Sequence, residues 1–150
     1  MSEVTFKGKT GSQVGALPFR LRGNQPEVLL ITSRQTARWV IPKGWWRKRR
    51  QPHAVAAREA FEEAGIVGRI GRKALGSYRY EKRLSSSASA LCKVRVYPLE
   101  VEELLPDWPE RSERRRRWMA MAEAAECVSE IGLKRLLLSW KPARLPSSAG

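Results

Sequence analysis

Three carboxylates crowd into the run Arg58-Glu59-Ala60-Phe61-Glu62-Glu63-Ala64-Gly65-Ile66. Residues three and four apart share one face of a helix. Glu59, Glu62 and Glu63 therefore line a single stripe if this run is helical. Carboxylates placed this way repel one another unless a cation sits among them. Mg²⁺ suits that position, with Mn²⁺ as the substitute. It is a hard ion that takes a few carboxylates and completes its shell with waters and substrate phosphates. Arg58 can orient one carboxylate through charge-assisted hydrogen bonds. A solvated helix face would carry the same spacing without doing chemistry, so spacing alone leaves both readings open.

The surrounding sequence supplies helix signals at both ends. Pro52 stands at a first-turn position, where its missing N–H costs nothing. Gly65 follows the last turn as a C-terminal cap. Phe61 points away from the carboxylate stripe and is expected to anchor the helix to the core, with Ala54, Val55 and Ala57 as further anchors. Gln13 to Leu21 and Glu27 to Thr32 are apolar runs separated by a Gly, Asn and Pro turn, which reads as a β-hairpin. Trp39-Val40-Ile41 is a short strand closed by Pro42. Lys43 to Gln51 is expected to be a loop carrying Trp45, Trp46 and five basic residues. Ile66 to Tyr80 looks extended. Ser85 to Ser89 forms a loop tip. Leu91 to Val101 alternates, with Cys92, Val94 and Val96 on one face and Lys93 and Arg95 on the other. Pro106 to Arg117 reads as a polar loop, and Ala120 to Val128 as a helix. Leu133, Leu136, Leu137 and Trp140 form the stripe of a last helix.

At 150 residues and 42% hydrophobic content, one globular domain with a single core is expected. Residues 1–12 read as a flexible arm, 13–140 as the domain, and 141–150 as a frayed, disordered tail. No apolar run approaches the roughly 20 residues needed to span a bilayer, and Met1 to Gly15 lacks the apolar core of a secretory signal. A soluble cytoplasmic protein is the default expectation, with no membrane partner. Cys92 and Cys127 lie inside apolar patterns and read as small buried hydrophobes, not as a disulfide or metal pair. The net charge of +14 attracts polyanions. Nucleic acid, membrane headgroups and highly phosphorylated small molecules all answer to it, and composition does not choose among them. The lone histidine, His53, rules out a zinc site or catalytic triad built on several histidines.

Gly44, Arg58-Glu59, Glu62-Glu63, Gly65 and Ile66 resemble the Nudix box, G-x5-E-x7-R-E-U-x-E-E-x-G-U, with U a bulky apolar residue. The stretch from Gly44 to Ile66 has the full length of that box, and Trp39-Val40-Ile41-Pro42-Lys43 resembles the lead-in to it. Two positions depart from it: Arg50 stands where the pattern has its first Glu, and Ala60 is small for an apolar position. The resemblance implies an α+β fold, the Nudix α/β/α sandwich with a mixed sheet and a loop-helix-loop catalytic motif. It also implies divalent-metal-dependent hydrolysis of a pyrophosphate bond. By similarity Glu59 and Glu63 are main metal ligands, and Glu62 is a further ligand or the base. Arg58 supports them. Glu102, Glu103, Glu110 and Glu113 are candidates for a base from outside the box.

The Pro-Lys-Gly-Trp loop is similar to a bacterial branch resembling diphosphoinositol polyphosphate phosphohydrolases. That resemblance implies a basic bowl for phosphates, formed by Arg34, Lys43, Gly44, Lys82, Arg83, Arg114 and Arg116. Dinucleoside polyphosphates and other nucleoside diphosphate derivatives fit the same chemistry. The alternative is a catalytically degenerate Nudix domain that binds RNA or another polyanion. Arg50 favours that reading, and the intact carboxylate stripe opposes it. Trp45 and Trp46 could then stack on bases.

Overall fold

The computed structural model describes residues 11–146. The hairpin forms from β1 (Gly11–Arg22) and β2 (Gln25–Thr32). Arg22 pairs with Gln25, so the turn holds only Gly23 and Asn24. Gly23 takes φ +62°, the first-position geometry that glycine supplies in a tight hairpin turn. Gly11 and Ser12, read with the arm, are the first rungs of β1. Residues 1–10 of that arm lie outside the described residues.

Strands β3 (Trp39–Val40), β4 (Lys43–Trp45), β5 (Ile66–Ile70), β6 (Gly76–Arg83), β7 (Ser89–Leu104) and β8 (Arg116–Ala120) complete one eight-stranded sheet. β1 and β7 run parallel at its centre, from Gly11 beside Cys92 to Phe19 beside Glu100. Every other pairing between these strands is antiparallel, so the sheet is mixed. Two segments expected to be loop are partly strand. Lys43 to Trp45 pairs with β1, and Arg116 and Arg117 already pair with β2. Both strands are short, and sheet neighbours rather than their own periodicity hold them.

Helices α1 (Pro52–Ala64), α2 (Met121–Cys127) and α3 (Ile131–Ser139) cover the sheet. The sheet carries a core on each face. One packs Leu17, Phe19, Val28, Leu30, Val94 and Val96 against α2 and α3. The other packs Val14, Leu29, Ile31, Tyr97 and Leu99 against α1. Val28 to Ile31 is buried at every residue, as expected of a strand covered on both sides. This is an α/β/α sandwich.

The seating of α1 departs from expectation. Phe61 is 41% exposed and anchors nothing, and Ala54 is exposed as well. Ala56, Ala60 and Ala64 are fully buried. They recur every four residues and turn one small-residue face to the sheet. That packing explains why a small residue occupies position 60. Cys92 is buried, Cys127 is partly so, and both are free thiols. No helix among the described residues is long and apolar enough to cross a membrane. In the tail, residues 141–146 have no helix or strand. There the Leu145 N–H donates to Glu100 at 2.9 Å, and Arg144 pairs with Glu100 at 3.2 Å.

Candidate functional site

The last turn of α1 is held from outside the helix. Gly65 caps it in the left-handed region, φ 66° and ψ 34°. The final carbonyls of a helix have no partner within it. Here the 105–116 segment supplies partners one by one. The Glu110 N–H donates to the Glu62 carbonyl at 3.1 Å. Trp108 Nε1 donates to the Glu63 carbonyl at 3.0 Å. Arg116 donates to the Ala64 carbonyl and the Leu105 carbonyl, each at 2.7 Å. Its guanidinium also lies 4.0 Å from the Trp108 ring centre. A cation at a helix C-terminus also complements the dipole. Arg116, expected in the phosphate bowl, is spent on this clamp.

The clamp and the caps aim the carboxylates. Glu59 and Glu63, one turn apart, hydrogen-bond to each other by their side chains. Glu63 is 7% exposed. Its Oε1 accepts from the Lys43 N–H at 3.3 Å and lies 3.7 Å from Arg114. Burial first, and then the hydrogen bond with Glu59, push the Glu63 carboxyl up to about 8, against the pull of Arg114. Glu59 is also raised, chiefly by burial. Gly44 closes over this pair. A Cβ there would stand 2.5 and 2.8 Å from the two carboxylate oxygens of Glu59, so only glycine admits that carboxylate without a shift.

Glu62 does not join the pair. It is near enough to raise Glu59 by repulsion, but its carboxylate pairs with Arg58 at 3.1 Å across i,i+4. Among the described residues, no three histidine, cysteine, aspartate or glutamate side chains converge as a metal-binding group. The stripe expected from the sequence is thus a tight pair with a third carboxylate at its edge. The pair still fits a divalent cation by its own chemistry. Two hard oxygen donors are pressed together in a place where burial disfavours their charge, and a bound cation would relieve that cost.

The remaining expected residues divide. Lys43 is half-buried, with its Nζ 5.1 Å from the Tyr80 ring centre. Burial lowers its pKa, while Glu130 and Glu63 oppose that and Lys82 and Arg114 add to it. Lys82 lies in the same neighbourhood, close enough for its charge to act on Lys43. Arg83 follows Lys82 on β6 and so leaves the opposite face of the strand. It lines an open cleft of about 310 Å³ with Arg38, Glu81 and Ser86 to Ser89. Arg34 is exposed and pairs with Glu113 at 3.4 Å. Arg114 is buried. It donates to Glu110 at 2.8 Å and to the Thr32 carbonyl at 3.1 Å.

Of the four carboxylates considered outside the box, Glu110 reaches the site, where its charge raises Glu59 and Glu63. Glu102 pairs with Arg69, and Glu113 with Arg34. Trp108, Glu130 and Tyr80 were not anticipated. Tyr80 donates to Gln13 at 2.8 Å. The Glu130 Oε1 and the Tyr78 hydroxyl are both buried, and burial followed by the nearby Glu130 charge raises the Tyr78 hydroxyl. No local pattern marks these residues, because each enters the site from a distant element.

This sandwich and its glycine-covered carboxylate pair define a Nudix-type site. The NUDIX domain family model matches residues 9–138, and the chain belongs to the Nudix family. It is 36% identical over 117 residues to Nudix hydrolase 12, mitochondrial, of Arabidopsis thaliana, covering 76% of this chain and 58% of that protein. It is 34% identical over 137 residues to the same plant's Nudix hydrolase 16, mitochondrial, covering 83% and 76%. The bovine (Bos taurus) diphosphoinositol polyphosphate phosphohydrolase 3-beta is 32% identical over 118 residues, covering 77% and 68%. Among solved structures, the C. elegans Ap4A hydrolase superposes with TM-score 0.63 at 17% identity, covering 86% of this chain and 94% of that one. That last likeness concerns the fold.

Proposed function

We propose that this chain is a pyrophosphohydrolase that cleaves a phosphoanhydride bond in a small, highly phosphorylated substrate, with diphosphoinositol polyphosphate as the first candidate. One observation carries this reading. Glu59 and Glu63 press together under Gly44 in a pocket where their charge is unfavourable, with Lys43 and Arg114 beside them. These two carboxylates would hold Mg²⁺, or Mn²⁺ in its place. A bound ion would lower the pKa of a coordinated water and neutralise phosphate charge.

The chain's own groups do the rest. Glu62, partly exposed and paired with Arg58, would take a proton from the attacking water. Lys43 and Lys82 would present cations to the substrate phosphates. Arg114 and Arg116 act as positioning residues for Glu63 and for the end of α1. The relative named as a diphosphoinositol polyphosphate phosphohydrolase and the chain's charge of +14 support a polyphosphate substrate.

The test is phosphate release with Mg²⁺ from diphosphoinositol polyphosphate, a dinucleoside polyphosphate and a nucleotide-sugar. Wild type is compared with Glu63→Gln. Turnover on at least one substrate, falling by roughly a hundredfold or more in the variant, is expected. Two equally inert proteins would favour the second reading, a polyanion-binding Nudix domain, for which Arg50 in place of the box Glu is the specific observation.

A further inference from the structure

Helix α1 covers only part of its sheet face. Along β6 and β7 the residues alternate, with Tyr78, Cys92, Val94 and Val96 buried toward α2 and α3. Ser77, Arg79, Lys93 and Arg95 therefore leave from the other face, and all four are exposed. Arg79 sits directly opposite Lys93, and Ser77 opposite Arg95. Ser12 flanks Lys93 from β1. The 45–50 loop continues this surface. The Trp46 N–H donates to the Ser12 carbonyl at 3.1 Å, and the Arg95 guanidinium lies 5.8 Å from the Trp46 ring centre. Beyond Trp46, residues Arg47, Lys48, Arg49 and Arg50 are all exposed.

We infer that this surface, Arg79, Lys93 and Arg95 with the 47–50 loop, binds single-stranded nucleic acid. Like charges facing each other across a sheet destabilise it. The Arg79–Lys93 pair carries that cost, and among the described residues no ion pair involves Arg79, Lys93, Arg95 or residues 47–50. Glu81, the carboxylate nearest along the same strand face, accepts from Ser89. A polyanion laid across the face offsets the repulsion.

The shape favours an extended strand over a compact ligand. Lys93 and Arg95 lie roughly 7 Å apart along β7, and the cations continue over β6, β7 and the loop beside β1. A small phosphorylated ring would cover a fraction of that span. Trp46, its ring centre 5.8 Å from the Arg95 guanidinium, gives the aromatic element that single-strand binders combine with charge. Surface binding to a membrane calls for an apolar face beside the charge, and these strand positions present none. The cations of the proposed hydrolytic site lie elsewhere: Lys82 leaves the opposite side of β6, and Lys43 reaches over Tyr80 there.

The experiment is fluorescence anisotropy of a labelled, unstructured RNA oligonucleotide with the full chain, across a salt series. Binding should weaken steeply with salt, by about 0.7 in log–log slope for each phosphate neutralised. The triple variant Arg79→Ser, Lys93→Ser, Arg95→Ser should flatten that slope by about 2 and weaken binding roughly tenfold or more. Its melting temperature should not fall, and any phosphohydrolase turnover should be unchanged. A second variant, Arg47→Ser with Lys48→Ser and Arg49→Ser, should flatten the slope similarly. Absence of RNA binding by wild type, an unaltered slope in both variants, or binding to anionic lipid vesicles without RNA binding would each overturn the inference.

Discussion

Removing the charge of Glu63 should strengthen the metal-free fold while it disables the site. Its carboxyl titrates at about 8 in the folded chain, against 4.5 for the free side chain. Between those values the folded state holds a proton that the unfolded state has released. Stability must then fall as pH rises from 4.5 to about 8, and level off above that. At pH 7 the interval already crossed is 7 − 4.5 = 2.5 units, which at about 1.4 kcal/mol each gives an upper bound of roughly 3–4 kcal/mol. Glu63→Gln keeps the shape and has no charge to desolvate. Its metal-free protein should melt higher than wild type at pH 7, by roughly 3–10 °C, with the gap closing toward pH 4.5. Mg²⁺ should then raise the wild-type melting temperature and leave the variant nearly unmoved, since only a ligand of the folded state stabilises it. Calorimetry across pH, with and without Mg²⁺, reads both effects. A variant that melts lower than wild type at pH 7, or that gains as much from Mg²⁺, would refute the reasoning.

Three further substitutions probe the supports of the site. Gly44→Ala puts a methyl group 2.5 and 2.8 Å from the Glu59 oxygens, so turnover should drop at least about tenfold with little change in melting temperature. Arg116→Ala removes two donations to α1 and its neighbour, along with the stack on Trp108. It should cost about 1–3 kcal/mol by chemical denaturation and reduce turnover through a loosened α1 end. Arg50→Glu restores the box residue at an exposed position with no ion pair among the described residues. It should change turnover by less than about twofold, and a large rise would show that the missing carboxylate limits the enzyme.

What the sequence made legible was what neighbours along the chain decide. Pro52 and Gly65 bracket α1 where local cap chemistry puts them, and Leu133, Leu136 and Leu137 are buried on the stripe their spacing implies. Phe61 misled because the bulkiest residue of a helix need not face the core. Close approach to the sheet selected the alanines instead. β4 was hidden because three residues carry no periodicity, and only β1 reveals it. The clamp was hidden for a related reason. Trp108, Glu110 and Arg116 meet α1 across 45 to 52 residues of chain, so a run of arginines before Trp118 looked like a ligand surface when two of its members hold the scaffold. The apposition of Glu59 with Glu63 follows from helical spacing, whereas the desolvation that gives the pair its character comes from Gly44, Lys43 and Arg114.

The central claim, that Glu59 and Glu63 together grip a divalent ion, is tested most directly by titrating the metal-free chain with Mn²⁺ and counting free ion by electron paramagnetic resonance. Wild type should bind Mn²⁺ in competition with Mg²⁺, and Glu59→Gln and Glu63→Gln should each weaken that binding by at least about tenfold. Equal binding by all three proteins would contradict the account.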